Sequence, residues 1–251
     1  MTEQELLTIC LEEEKKTFIG WDFSYLDGRL IEEKLPWDYR ARLKEFLKPY
    51  TKLLDMGTGG GEFLLSLEHN YNLTSVTEGW QPNYDLCMKK LAPLGINVQF
   101  WEGGERLPFE DESFDLVINR HEYYDLDEVR RVLKKGGHFI TQQVGSANGE
   151  RLTKILAPDF EKDFYTFNLE NEVPRFRQAG FKVVYKNQYY PSYKFMDIGA
   201  LAYYARLIPW EFPGFSVEKN LPELIMIQKE IEERGCFDLT EHRFIIVSKK
   251  I

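Results

Sequence analysis

From Thr51 onward, short aliphatic or β-branched runs alternate with longer stretches whose apolar residues recur at helical spacing, the pattern of a doubly wound α/β sheet. The runs predict strands at 51–56 (TKLLDM), 72–77 (NLTSVT), 96–101 (INVQFW), 114–119 (FDLVIN), 138–144 (HFITQQV), 181–190 (FKVVYKNQYY) and 243–249 (RFIIVSK). GEFLLSLEH, PNYDLCMKKLA, LDEVRRVLKK and LENEVPRFRQAG predict helices between them. Two helix ends carry stop signals: Ala179-Gly180, and LKKGG at 133–137, where basic residues of a last turn precede glycines. Two segments break the alternation. Residues 1–50 carry two helical patterns separated by FIGWDFSYLDGR. Residues 191–240 are far longer than a hairpin connection and hold an amphipathic helix near 221–234. Both are expected to elaborate the open edge of the sheet. The expected division is 1–50 as an N-terminal helical cap and 51–251 as the main domain, with 191–240 inserted before the last strand.

Composition narrows the class. With 251 residues, 43% apolar and 29% charged, the chain can bury one large core. It has no run of about 18 apolar residues and opens on acidic MTEQELLTICLEEEKK, so neither a membrane span nor a targeting segment is expected. Cys10, Cys87 and Cys236 are scattered without CxxC spacing, which fits reduced thiols in a cytoplasmic protein and no structural metal. The net charge of −9, with Lys and Arg dispersed, points away from a long nucleic acid and towards a small molecule or a protein.

The most informative stretch is LLDMGTGGG, Leu53 to Gly61: an apolar strand, an aspartate, recurrent glycines, then a helix. Glycine permits the sharp turn and a close backbone approach to a ligand. A dinucleotide loop needs a small residue at the place Glu62 takes, and a Walker loop needs a lysine that is missing. Asp55 instead suits a ligand with positive charge. Glu78, at the end of the second strand about 20 residues past the loop, is placed to accept ribose hydroxyls.

These residues resemble the first motif and ribose-binding acid of class I S-adenosylmethionine-dependent methyltransferases. GGERLPFEDESFDLVIN (103–119) resembles that family's approach to its fourth strand, and VRRVLKKGGHFITQQ (129–143) its following helix and fifth strand. The segments NRHEYYDLDEVRRVLKKGG, TQQVG and GALAYYARLIPWEFPGF are similar to a methyltransferase-like subgroup of unassigned substrate. The resemblance implies a Rossmann-like, mostly parallel seven-stranded sheet with an antiparallel last strand. S-adenosylmethionine would be held by Asp55, Gly57, Thr58, Gly59, Gly61 and Glu78. Gly103 stands where the family has an adenine-binding aspartate, so the adenine contact is expected from the backbone of Gly103 and Gly104 or from Glu102 or Glu105. Asn119 closes the fourth strand, and LPWDYR (35–40) supplies Tyr39 and Arg40, with Trp37, as a wall at the methionine end.

Ligands in this fold sit outside the carboxyl ends of the strands, which here read Asn119-Arg120-His121-Glu122-Tyr123-Tyr124. His121 is the candidate general base, with packing beneath the cofactor as the preferred alternative. Arg120 either grips an acidic acceptor or pairs locally. The aromatic insertion (Tyr203, Tyr204, Trp210, Phe212, Phe215) is the expected acceptor pocket or, alternatively, a homodimer interface. The expected activity is methyl transfer to a small molecule; a non-catalytic S-adenosylmethionine-binding module and an NAD(P)-dependent oxidoreductase are the alternatives.

Overall fold

The structure is a computed structural model that describes residues 1–18, 20–104, 106–162 and 166–251. Its centre is a seven-stranded sheet in the order β4-β3-β2-β5-β6-β10-β7. Strands β2 (Leu53–Met56), β3 (Thr74–Glu78), β4 (Asn97–Phe100), β5 (Phe114–Arg120) and β6 (Leu133–Val144) run parallel. β10 (Arg243–Lys250) inserts antiparallel between β6 and β7 (Phe181–Tyr189). Central strands are buried on both faces, which is why they read as unbroken apolar runs. Leu53, Leu54, Met56, Val117, Ile140 and Ile245 are all fully buried. Edge strand β7 instead alternates buried or half-buried with exposed positions along its first residues.

Helices α2 (Tyr39–Phe46), α3 (Glu62–Leu65), α4 (Gln81–Lys90), α5 (Leu126–Val132) and α7 (Leu169–Gln178) flank this sheet. One expected boundary moves. LKKGG belongs to β6, because α5 stops at Val132 and Leu133 already pairs with Phe114. Lys134 Nζ reaches Asp115 at 2.7 Å. A Cβ on Gly137 would stand 3.0 Å from the Asp115 carbonyl, so the close strand approach, and not a helix cap, requires that glycine.

A second sheet, β1 (Leu30–Glu32), β8 (Ser192–Phe195) and β9 (Phe237–Thr240), is antiparallel and three-stranded. It packs with α1 (Glu3–Glu14), α6 (Glu150–Leu156), α8 (Ile198–Leu207) and α9 (Leu221–Arg234) around a core of its own, including Leu6, Phe195, Leu201, Ile227 and Phe237. The first fifty residues therefore divide. Residues up to β1 join the 191–240 insertion, whereas Trp37, Tyr39 and Leu43 pack under the main sheet. Arg29 fastens the union, pairing with Glu13 at 2.9 Å and with Asp197, the N-cap of α8, at 2.6 Å. Residues 198–205 are all buried, so α8 is an interior helix. Tyr203, Tyr204 and Phe212 consequently sit in this core and do not wall a pocket; Trp210 alone of the expected aromatics stays largely open, 57% exposed. No helix among the described residues is long and apolar enough to cross a membrane.

Candidate functional site

The parallel strands end on one face, so the loops after β2, β3, β5 and β6 meet there. After Met56 the chain turns through Gly57 (φ +69°), Gly59 (φ +63°) and Gly61 (φ +79°), a left-handed backbone that side chains other than glycine strain to adopt. The turn is held from both sides. Gly57 N–H donates to the Thr77 carbonyl at 3.0 Å, and the Gly59 and Gly60 carbonyls accept from Cys87 Sγ at 3.1 Å and Lys90 Nζ at 2.9 Å. Lys90 also pairs with Glu62, whose carboxylate folds back over Gly60.

Acids converge on this loop. Asp55 and Glu78 are buried, and the Glu78 carboxylate accepts the Gly59 N–H. Glu122, from the loop after β5, lies across Gly57, its Cγ 2.3 Å from where a Cβ on Gly57 would stand. Burial raises Glu78 to about 7, with the charges of Glu122 and Asp55 adding to the rise, and raises Asp55 to about 6. Displaced water raises the Glu122 carboxyl as well. The same field is felt by the neighbouring Cys87 thiol, pushed up to about 12 by burial and then by Glu78, Asp55 and Glu62. From the sequence Glu122 reads only as a structural member of the strand-end run 119–124; it lies 65 positions beyond Gly57, and only the meeting of two strand ends brings it to the glycine loop.

The end of β5 is built as a rigid support. Asn119 is fully buried and turned into the protein: its Oδ1 accepts from Thr141 Oγ1 at 3.0 Å and from Gln143 Nε2. Its Nδ2 donates to the Tyr123 carbonyl at 3.3 Å, and its own carbonyl accepts from Tyr39 Oη at 3.0 Å. Asn119 and Tyr39 thus fix the strand end, with the Asn119 Oδ1 shared by two donors and its Nδ2 donating to the Tyr123 carbonyl. Arg40 is likewise committed, donating to the Ser66 carbonyl at 2.8 Å and to Ser66 Oγ at 2.7 Å.

His121 follows with φ +62°, a strained conformation for a histidine. Its N–H donates to the Gln142 carbonyl at 2.8 Å, and its ring, crowded by protein, stays open to solvent on one side. Burial, with the charges of Arg243 and Arg120, holds the imidazole well below its ordinary value and therefore neutral near pH 7. Arg120 stacks over Phe63 at 4.5 Å and makes no ion pair among the described residues. Trp37 is buried and donates its indole N–H to Gln142 Oε1 at 2.8 Å.

Gly103 (φ +92°) and Gly104 (φ +73°) turn the loop after β4, and the Tyr123 ring packs against Gly103. Glu105 lies outside the described residues. Over the glycine loop comes Trp21, 3.1 Å from a Cβ placed on Gly59, with Trp210 of the insertion edge-on to it at 5.8 Å. Trp21 too was missed by sequence reasoning. No group of acids, histidines and cysteines among the described residues could hold a metal ion.

Residues 54–141 match the family model described as a methyltransferase domain. The chain is 29% identical over 98 residues to the uncharacterized methyltransferase YcgJ of Bacillus subtilis strain 168, covering 36% of this chain and 39% of that protein. It is 30% identical over 161 residues to the phthiotriol/phenolphthiotriol dimycocerosates methyltransferase of Mycobacterium tuberculosis H37Rv, covering 53% of this chain and 56% of that protein. The match thus spans about half or less of the length of these relatives. Among solved structures, YcgJ of Bacillus subtilis superposes with a TM-score of 0.57 at 16% identity, over 84% of this chain and 97% of that one, a likeness of fold.

Proposed function

We propose that this chain, whose residues 54–141 belong to the methyltransferase-domain family, transfers a methyl group from S-adenosylmethionine to a small-molecule acceptor. The observation that carries the reading is the convergence of Asp55, Glu78 and Glu122 on the glycine loop. Carboxylates crowded on one loop, Asp55 and Glu78 buried and Glu122 at the surface beside them, call for a cation, and a phosphate-bearing dinucleotide would add to their repulsion. S-adenosylmethionine fits: it brings an ammonium and a sulfonium to a loop whose glycines leave room where a Cβ would intrude. Bound there, it supplies an electrophilic methyl group.

The chain's own residues do the rest. Gly57, Thr58, Gly59 and Gly61 form the cradle; Asp55 and Glu122 neutralise cationic charge; Glu78, held by the Gly59 and Trp80 N–H groups, accepts ribose hydroxyls with its remaining lone pairs. Gly103 and Gly104, with the Tyr123 ring against them, bound the adenine side. The Asn119 network keeps the β5 end rigid, which matters because in-line displacement depends on fixed alignment of donor and acceptor. Trp21 and Trp210 shield the loop from water, and the 191–240 insertion acts as the acceptor-side lid. Arg120, without an ion pair among the described residues, favours an acceptor with an anionic or oxygen-rich group. The experiment is incubation of purified protein with methyl-labelled S-adenosylmethionine and a fractionated metabolite extract. A labelled small molecule dependent on the protein supports the proposal. A cofactor that binds with no label transferred to any fraction supports a non-catalytic binding module instead.

A further inference from the structure

We infer that Trp37 and Gln142 are positioning residues that hold His121 in its Nδ1–H tautomer, so that the imidazole meets the acceptor as a hydrogen-bond donor and not as a general base. The Trp37 indole Nε1–H can only donate, so the Gln142 atom 2.8 Å away must be the amide oxygen. That fixes the amide: its Nε2 faces His121 Nε2 at 3.2 Å. An amide nitrogen can only donate, so His121 Nε2 must present its lone pair. A neutral ring then carries its single proton on Nδ1, which makes no hydrogen bond among the described residues. Turning the amide over would set two donors face to face at the buried indole, at the cost of an unsatisfied polar group.

The backbone supports the relay. His121 N–H is bonded to the carbonyl of the same Gln142, so strand β6 grips both the main chain and the ring of His121. With its lone pair already engaged, the imidazole has no free base. What it offers is an N–H. Together with the neighbouring Arg120, which makes no ion pair among the described residues, it suits an acceptor presenting oxygen lone pairs, a carboxylate foremost. This role toward an acceptor rests on the methyl-transfer reading, whereas the tautomer does not.

The test reads the tautomer directly, by nitrogen–proton correlation NMR of the histidine side chains in the full-length, ligand-free protein at pH 7. His121→Asn identifies the signals, since asparagine tolerates the left-handed backbone there. His121 is expected neutral, with Nδ1 in the protonated range and Nε2 in the unprotonated range. Gln142→Glu replaces the amide donor by an acceptor and is expected to move the proton to Nε2. Trp37→Phe frees the amide to turn and is expected to populate both forms. A wild-type ring protonated on Nε2, a charged ring, or a tautomer indifferent to both substitutions would overturn the inference. Because the measurement involves no cofactor, its failure is distinct from a failure to bind S-adenosylhomocysteine, the probe for the methyl-transfer reading.

Discussion

Lowering the pH from 8 to 6 should weaken cofactor binding through the acids that build the site. In the ligand-free protein Glu78 sits at about 7 and Asp55 at about 6. The ligand's ammonium and ribose hydroxyl donors favour the ionised forms, so binding must expel whatever protons these groups hold. If both are ionised in the complex, the binding-competent fraction falls from about 0.9 at pH 8 to about 0.05 at pH 6. That is a loss of about 20-fold, or ~1.8 kcal/mol. Proton release should rise from about 0.1 per ligand at pH 8 through about one at pH 6.5 to about 1.4 at pH 6. Stability runs in the opposite sense. An acid whose folded value is raised binds more protons folded than unfolded, so the ligand-free protein loses stability as pH rises from about 4.5 through 7, by at most about 3 kcal/mol from Glu78. Calorimetric titration with S-adenosylhomocysteine, in two buffers of different ionisation heat, counts the protons. Glu78→Gln at saturating ligand should remove most of the release near pH 6.5, which separates the protein's titration from the ligand's. A flat affinity between pH 6 and 8 with no proton released would refute the reasoning.

Other outcomes follow from single contacts. Glu78→Ala should weaken S-adenosylhomocysteine at least tenfold, at ~1.5–3 kcal/mol for each charge-assisted hydrogen bond lost, while a 2′,3′-dideoxy analogue binds both proteins alike. Gly59→Val should abolish binding, since the branched side chain meets Trp21 and a positive φ; circular dichroism should show the fold retained. Asn119→Leu leaves Thr141, Gln143 and Tyr123 without their shared partner and should cost about 2–5 kcal/mol in urea unfolding. Arg243→Met strands the fully buried Glu241, 2.5 Å from the guanidinium, and should cost about 3–5 kcal/mol, much of it recovered by adding Glu241→Gln.

The main sheet was legible because a strand buried on both faces must be continuously apolar, and each of the seven predicted strands forms. The antiparallel last strand came from family resemblance, not from periodicity. The second sheet left no such trace. β1 and β8 are strands of three and four residues, and their pairing joins Leu30 to Phe195 across the whole main domain. LKKGG misled because a basic last turn with glycines is also what a tight parallel-strand approach looks like. The glycine loop, Asp55 and Glu78 were readable since loop chemistry is local. Glu122, Trp21, Trp37 and Gln142 gain their parts only from tertiary contact. Asn119 was suggested by its position at a strand end, and what the sequence did not reveal is the network there, in which its side chain bonds Thr141, Gln143 and Tyr123.

The central claim is that an acid-lined glycine loop selects a nucleoside bearing an ammonium group and rejects a dinucleotide. It is tested most directly by titrating the full-length protein at pH 8 with S-adenosylhomocysteine and, separately, with NAD and NADP in a calorimeter. The account predicts saturable binding of S-adenosylhomocysteine at one site per chain, a matching rise in melting temperature, and no measurable heat with either dinucleotide. Tight NAD or NADP binding with no heat from S-adenosylhomocysteine would contradict it.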